Sequence, residues 1–446
     1  MELPVGVWGH YGFHTSPYST SALQIADADE TLLVGRDQEL QTVLRDLMSG
    51  TQMVALEGDY GVGKSSLAAV ATSIASRWRQ EKDSIAPLFL APGRPLELEE
   101  KDTASSLEKR AYYQVAGSIL ANEDRLLREG ITLRQLHDFR QWLTTPHGGG
   151  WSAGIGASFP GIVSGNLSAG RSKTPNTSAG FSEVGVIALI DSWLAEIFPT
   201  PNSGGVILLL DNLEVLSGFP KGVQVFESLR DRLFKRQGLR WIISGAEGTV
   251  RAALSTPKMS GVFPAPIDIA PLPHNLVSEV ISRREVAFRA RSDAKLPVSS
   301  KAFEDTYVAT GRNLRTALGL AERFSLRTDP GAMAWMSPEE RDARFWEWQI
   351  REGERVIEQV SSKLTEARWK VLTTLVSDLD GFATSSNVGD FGYKSSSSLQ
   401  PHIQALATLG LINYSADEQD GRRRIITATE RGRLAVASRP VLASED

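Results

Sequence analysis

The 446-residue chain contains no cysteine, which excludes disulfides and thiolate metal sites and fits a reducing, cytoplasmic setting. No run of about 18 apolar residues occurs, so neither a transmembrane helix nor a membrane partner is expected. The opening stretch, MELPVGVWGHYGFHTSPYST, lacks the basic start and apolar core of a secretory leader. Histidine is scarce, at six residues, and their spacing suits no metal site. An excess of basic residues is missing too. With a net charge of −5, the chain as a whole is no electrostatic binder of nucleic acid, and any such contact needs a local patch. No internal repeat is visible. What remains is an ordinary globular composition, 41% hydrophobic and 23% charged. The length allows roughly two to four domains.

Hydrophobic periodicity sets out the elements. Leu40, Val43, Leu44 and Leu47 predict a helix over 37–48, after an aromatic, turn-rich arm over 1–30. The apolar run MVALE at 53–57 reads as a buried strand, and a helix follows over 67–77. Further strands are expected at 86–90, at 206–210 ending on Asp211, at 240–244 and at 265–270. Helices are expected around 111–126, 133–143 and 181–198. Strands alternating with helices indicate βαβ units and a parallel sheet, an α/β fold. Helical patterns then run from 273 to about 325, and a polar linking helix covers 338–361.

Between strand and helix, Gly58, Asp59, Tyr60, Gly61, Val62, Gly63, Lys64 and Ser65 fit G-x-x-x-x-G-K-[ST] at every fixed position, with Ser66 next. Such a loop curls backbone N–H groups around phosphates at a helix N-terminus. Lys64 supplies a point charge to the β/γ oxygens, and the Ser65 hydroxyl is suited to Mg²⁺. Asp211, at the end of VILLL, stands where a Mg²⁺-directed carboxylate belongs. The expected cofactors are ATP and Mg²⁺.

The order of phosphate loop, VILLLDNLE, RWIISGAEG and GRNLRTAL resembles the AAA+ superfamily, in particular origin-recognition-type initiator ATPases and the neighbouring STAND class. That resemblance implies a P-loop AAA+-type parallel sheet over 31–270, with an insertion at about 99–182. It further implies a helical lid over 271–335 and a linker helix over 336–364. It places Val34, Gly35 and Arg36 of LLVGRDQEL near the adenine, and adenine rather than guanine rests on it, since no N-K-x-D occurs where guanine recognition would need it. Ser244 falls at the sensor 1 position, and Arg315 at sensor 2 with Arg312 as its competitor. Two departures stand out. Asn212 follows Asp211 where hydrolytic members carry Glu, and Asn cannot accept a proton from water; Glu214 stands two residues on. No arginine finger is evident, Lys258 and Arg251 being the nearest candidates.

The segment 148–180 holds nine glycines among serines with few charges and reads as a surface element suited to a protein partner, a neighbouring subunit or DNA. The tail from 365 to 438, before a short end at 439–446, reads helix, short element, helix over 399–409 with Pro401 at its first turn, strand, charged turn, strand, helix. It resembles a winged helix-turn-helix. That resemblance makes Lys394, Ser397, Gln400 and Gln404 of the third helix, and Arg422, Arg423 and Arg424 of the wing, candidate DNA contacts. Nine Lys/Arg face ten Asp/Glu from Thr365 onward, so a protein-interaction role stays open. The leading expectation is a self-associating, DNA-associated ATPase in which nucleotide acts as a switch. The other is a STAND-type signalling or defence ATPase whose winged helix binds protein.

Overall fold

The computed structural model describes residues 6–25, 30–49, 53–81, 85–99, 101–144, 183–218, 222–379, 381–384, 387–416 and 424–439. The chain divides into two compact units. One, the sheet unit, comprises Ala22–Asp59 and Gly63–Ile269; the other, the helical unit, comprises Met1–Ser21, Tyr60–Val62 and Ala270–Asp446.

The sheet unit is built on strands β1 (Met53–Glu57), β2 (Leu88–Leu90), β3 (Leu96–Glu97), β4 (Gly204–Asp211), β5 (Leu239–Gly245) and β6 (Ile267–Asp268). Their order is β2-β4-β5-β1-β6, with β3 pairing the far end of β4 at Leu96↔Leu210 and Glu97↔Asp211. Every pairing is parallel. Parallel strands bury both faces, which is why β1, β4 and β5 read as near-continuous apolar runs rather than alternating ones. Gly204 opens β4 because a Cβ there would strike the Leu88 carbonyl, and its φ of 115° suits glycine. The helices of this unit include α1 (Asp37–Met48), α2 (Lys64–Glu81) and α3 (Ala104–Ala121).

Leu107, Ala111, Val115 and Ile119 of α3 share one hydrophobic core with Leu208 of β4 and Trp241 of β5. The first part of the stretch read as an insertion therefore covers the sheet. Its glycine-rich part, 148–180, lies outside the described residues. The helix expected over 111–126 is two helices, α3 and Glu123–Arg128, parted at Asn122. A capping box of Thr103 and Ser106 starts α3 a turn and more before the apolar periodicity shows it.

In the helical unit, the N-terminal arm forms the short helix Val7–Tyr11 and an antiparallel bridge, Phe13↔Arg289. The arm is held by Tyr18, whose hydroxyl donates to the Val298 carbonyl at 2.5 Å and accepts from the Val298 N–H at 3.1 Å. Burial drives the Tyr18 hydroxyl strongly up from its ordinary pKa, so it stays protonated and able to donate. The helices α4 (Val277–Phe288), α5 (Ser300–Ala309) and α6 (Leu314–Arg327) lead to the long α7 (Pro338–Val360). A capping box of Ser337 and Glu340, with Pro338 at the first helical position, starts α7.

The chain then makes α8 (Glu366–Thr373), β7 (Phe382–Thr384), α9 (Ser396–Thr408), β8 (Ile412–Ala416), β9 (Arg424–Ala428) and α10 (Glu430–Ser438). The strands form an antiparallel sheet of order β7-β9-β8. Three helices with a small antiparallel sheet are compatible with a winged helix. Pro401, expected at the first turn of its helix, instead lies inside α9. The serine run starts the helix early, with Ser395 as the extended cap and the Ser398 N–H donating to the Ser395 carbonyl. β7 was unforeseen; FAT is short, and pairing to β9 at Phe382↔Thr427 makes it a strand.

α10 is seated against the rest of this unit by close backbone approach. A Cβ on Gly311 or Gly381, both left-handed at φ 72° and 79°, would strike the Arg433 guanidinium. A Cβ on Gly353 of α7 would strike the Leu434 carbonyl. Glu430 pairs with Arg323 of α6. Among the described residues no helix is long and apolar enough to cross a membrane.

Candidate nucleotide-binding site

β1 delivers the chain to the phosphate loop through Glu57, which is 1% exposed. Gly58 packs so closely that a Cβ would strike the Ile269 carbonyl. Gly63 is left-handed at φ 102°, turning the backbone into α2 at Lys64. The Lys64 ammonium folds back over the loop and donates to the carbonyls of Gly58 at 2.8 Å and Asp59 at 2.9 Å. An 18-residue helix thus starts beside an ammonium, and its first N–H groups have no intrahelical partner. Charge and dipole at this helix start together favour an anion.

Asp211 ends β4, and its carboxylate is the meeting point of three segments. Oδ2 accepts the Ser65 hydroxyl at 2.6 Å; Oδ1 accepts the Ser244 hydroxyl at 2.5 Å and the Asn212 N–H at 2.9 Å. β4 and β1 flank β5, so the sheet order sets Ser244 of β5 beside Asp211, while Ser65 comes in from the start of α2. Hydroxyl and carboxylate oxygens so placed suit a hard cation such as Mg²⁺, which is held by few protein ligands together with water and phosphate. Among the described residues no cluster of three or more His, Cys, Asp or Glu could hold a metal.

Asn212 adopts φ 64°, a left-handed turn that ends β4 and starts the 3-10 helix Leu213–Gly218. That turn carries Glu214 to the end of β5, where its Oε2 accepts the Ala246 N–H at 3.1 Å. Glu214 thus bonds the backbone two residues beyond Ser244. Glu247 was missed by sequence reasoning. Partial burial, then the nearby carboxylates of Asp59, Glu57 and Asp268, hold its carboxyl above the usual range. No motif marks it; its position just past the strand carrying Ser244 was the available signal.

Neither finger candidate stands unpaired. Arg251 donates its backbone N–H to Glu57 at 2.9 Å, and its guanidinium lies 3.4 Å from Glu57 and 2.5 Å from Asp268, tying β1 to β6. Lys258 pairs with Glu227 at 3.2 Å. Val34 and Arg36 are buried, and Arg36 bonds Glu39 at 3.1 Å at the start of α1, next to left-handed Gly35. Ser66 accepts the Leu23 N–H at 3.2 Å.

Within the helical unit, the Tyr60 carbonyl accepts the Asn313 side-chain amide at 2.7 Å. Asn313 in turn caps α6 by accepting the Thr316 N–H at 2.9 Å. Arg315 hydrogen-bonds the Tyr60 hydroxyl and lies over its ring, 4.7 Å from the centroid. A Cβ on left-handed Gly61 would lie 2.6 Å from Asn313 Oδ1. Of the two arginines considered, Arg315 is the one that meets a phosphate-loop residue; Arg312 sits in a left-handed turn at φ 56°.

Of the C-terminal candidates, Ser397, Gln400 and Gln404 share one side of α9, and Lys394 precedes that helix. Lys394, Ser397, Gln400 and Gln404 are exposed, while Leu399, Ile403 and Leu406 of α9 are buried. Arg424 is exposed at the start of β9; Arg422 and Arg423 lie outside the described residues.

No protein-family model matches the chain. No curated protein matches it either. Among solved structures it is similar to the ORC1 protein of Aeropyrum pernix in complex with DNA, at 14% identity and a TM-score of 0.43, over 91% of this chain and 92% of that one. It is also similar to a Walker-type ATPase of Pyrococcus abyssi, at 12% identity and 0.42, over 94% and 99%. A third is the ORC2 protein of Aeropyrum pernix in ADPNP–ADP complexes, at 8% and 0.43, over 92% and 95%.

Proposed function

We propose that this chain is a cytoplasmic, ATP-binding and slowly hydrolysing Mg²⁺-dependent ATPase of the AAA+ type, which uses nucleotide as a switch for self-assembly and association with DNA. The junction of Ser65, Asp211 and Ser244 carries the reading. Ser65 and Asp211 would hold Mg²⁺, which when bound neutralises phosphate charge. Lys64 and the start of α2 bind the phosphates, and Ser244 orients the Asp211 carboxylate.

Slow turnover is supported by Asn212, which cannot take a proton from water, and by Glu214, whose carboxylate is engaged by the Ala246 amide. In this reading Arg315 is the γ-phosphate sensor. The exposed face of α9, with Gln400 and Gln404, Lys394 just ahead of that helix, and Arg424 with its sequence neighbours Arg422 and Arg423 are the DNA contacts. ATP turnover measured with and without duplex DNA, across protein concentration and beside Lys64→Ala, tests the reading. It expects low turnover that rises with DNA and concentration and vanishes in the variant. Turnover that Lys64→Ala leaves unchanged would overturn it.

A further inference from the structure

Helix α7 is acidic as a whole, with seven Asp and Glu against four Arg. Three of those arginines nevertheless share one face. Arg344, Arg351 and Arg355, with Trp348, stand at i, i+7, i+11 and i+4, a spacing that lines up one side of a helix. Together with Arg327 at the end of α6 they line a cavity of about 530 Å³ in which Glu347 is the one carboxylate on the wall. Trp348 is rigidly backed: it stacks on buried Phe345 at 6.2 Å and leans on buried Phe324 at 5.8 Å. Positive charge is thus concentrated on an aromatic floor, in a helix and a chain that are both net negative.

We infer that this face binds a nucleic-acid strand, with guanidinium groups on the phosphates and Trp348 offering a stacking surface for a base. Guanidinium forks match phosphate oxygens bidentately, and an aromatic ring among cations is the combination that holds single strands without sequence preference. Arg344 has no partner among the described residues and is ready to engage. Arg351 bridges Glu347 at 3.3 Å, and Arg327 and Arg355 both reach Glu352. Exposed pairs of this kind contribute little, so a phosphate chain competes with them successfully. At the helical rise, Arg344 to Arg355 spans about 16 Å, enough for several phosphates. The inference depends neither on the nucleotide site nor on α9.

Anisotropy titrations of a labelled single-stranded oligonucleotide against the full chain test it, at about 50 and 200 mM salt. The triple variant Arg344→Gln/Arg351→Gln/Arg355→Gln is expected to bind at least about tenfold more weakly, with the salt slope reduced by two to three. Arg424→Gln reports on the C-terminal module separately. Arg344→Gln, which breaks no hydrogen bond or ion pair among the described residues, is expected to reduce the slope by about one and carries the test if the triple variant loses helicity. Unchanged affinity and slope in Arg344→Gln and the triple variant overturn the inference. Complete displacement of the oligonucleotide by inorganic phosphate at matched phosphate concentration also overturns it, in favour of a small-anion pocket.

Discussion

The Asp211 junction and the exposed face of α9 present functional side chains in opposite ways. At Asp211, Ser65 and Ser244, from two segments distant in sequence, converge with the adjacent Asn212 N–H on one carboxylate through hydrogen bonds of 2.5 to 2.9 Å. On α9, Ser397, Gln400 and Gln404 are neighbours along one helix and hold one another through nothing but periodicity. A convergent centre is pre-organised, so removing one member disturbs the others. A helical face is additive, each side chain contributing on its own.

The largest effect should come from breaking the convergence. Asp211→Ala leaves Ser65 and Ser244 without their acceptor and is expected to lower ATP turnover by at least about 100-fold, measured as phosphate release. Adding a base next to the centre should work in the other direction. Asn212→Glu is expected to raise turnover by up to about 100-fold if a proton acceptor is what the site lacks. It should also lower Tm, since Glu at φ 64° costs about 1 kcal/mol. A variant with lower Tm and unchanged turnover would show that the side chain at position 212 does not reach the attacking water.

Arg433→Ala sharpens the comparison from the other side. It empties the slot between Gly311 and Gly381 and is expected to destabilise the protein by about 1–3 kcal/mol in denaturant titration. ATP binding should be retained, because the slot holds no phosphate-loop residue. The smallest effect concerns Glu247. Its folded pKa lies above the ordinary 4.5, so its contribution to stability is fully present at low pH and is lost as pH rises through the folded value. Glu247→Gln should therefore raise Tm slightly near neutral pH and leave it unchanged near pH 4.

Legibility followed the range of the interactions. The helix expected over 37–48 and the strand over 53–57 match α1 and β1 end to end, because apolar spacing and backbone sterics act within a few residues. The phosphate loop, Asp211 and Ser244 were readable because each is tied to the end of a recognisable strand. Pro401 misled because a serine run caps α9 earlier than its apolar pattern begins. β7 was invisible because three residues become a strand only by pairing with β9, more than forty positions on.

By itself, the sequence determined the α/β alternation, the loop that turns into α2, and the absence of a carboxylate immediately after Asp211. These depend on residue type and local spacing. Tertiary structure alone decided that Ser65 and Ser244 grip one carboxylate, that Arg251 is spent on Glu57 and Asp268, and that Arg315 rests on Tyr60. It also decided that Arg327 and Phe324 of α6 join the arginine face of α7 around one cavity. Such contacts join residues up to 255 positions apart, and only the packing of whole elements brings them within hydrogen-bond reach.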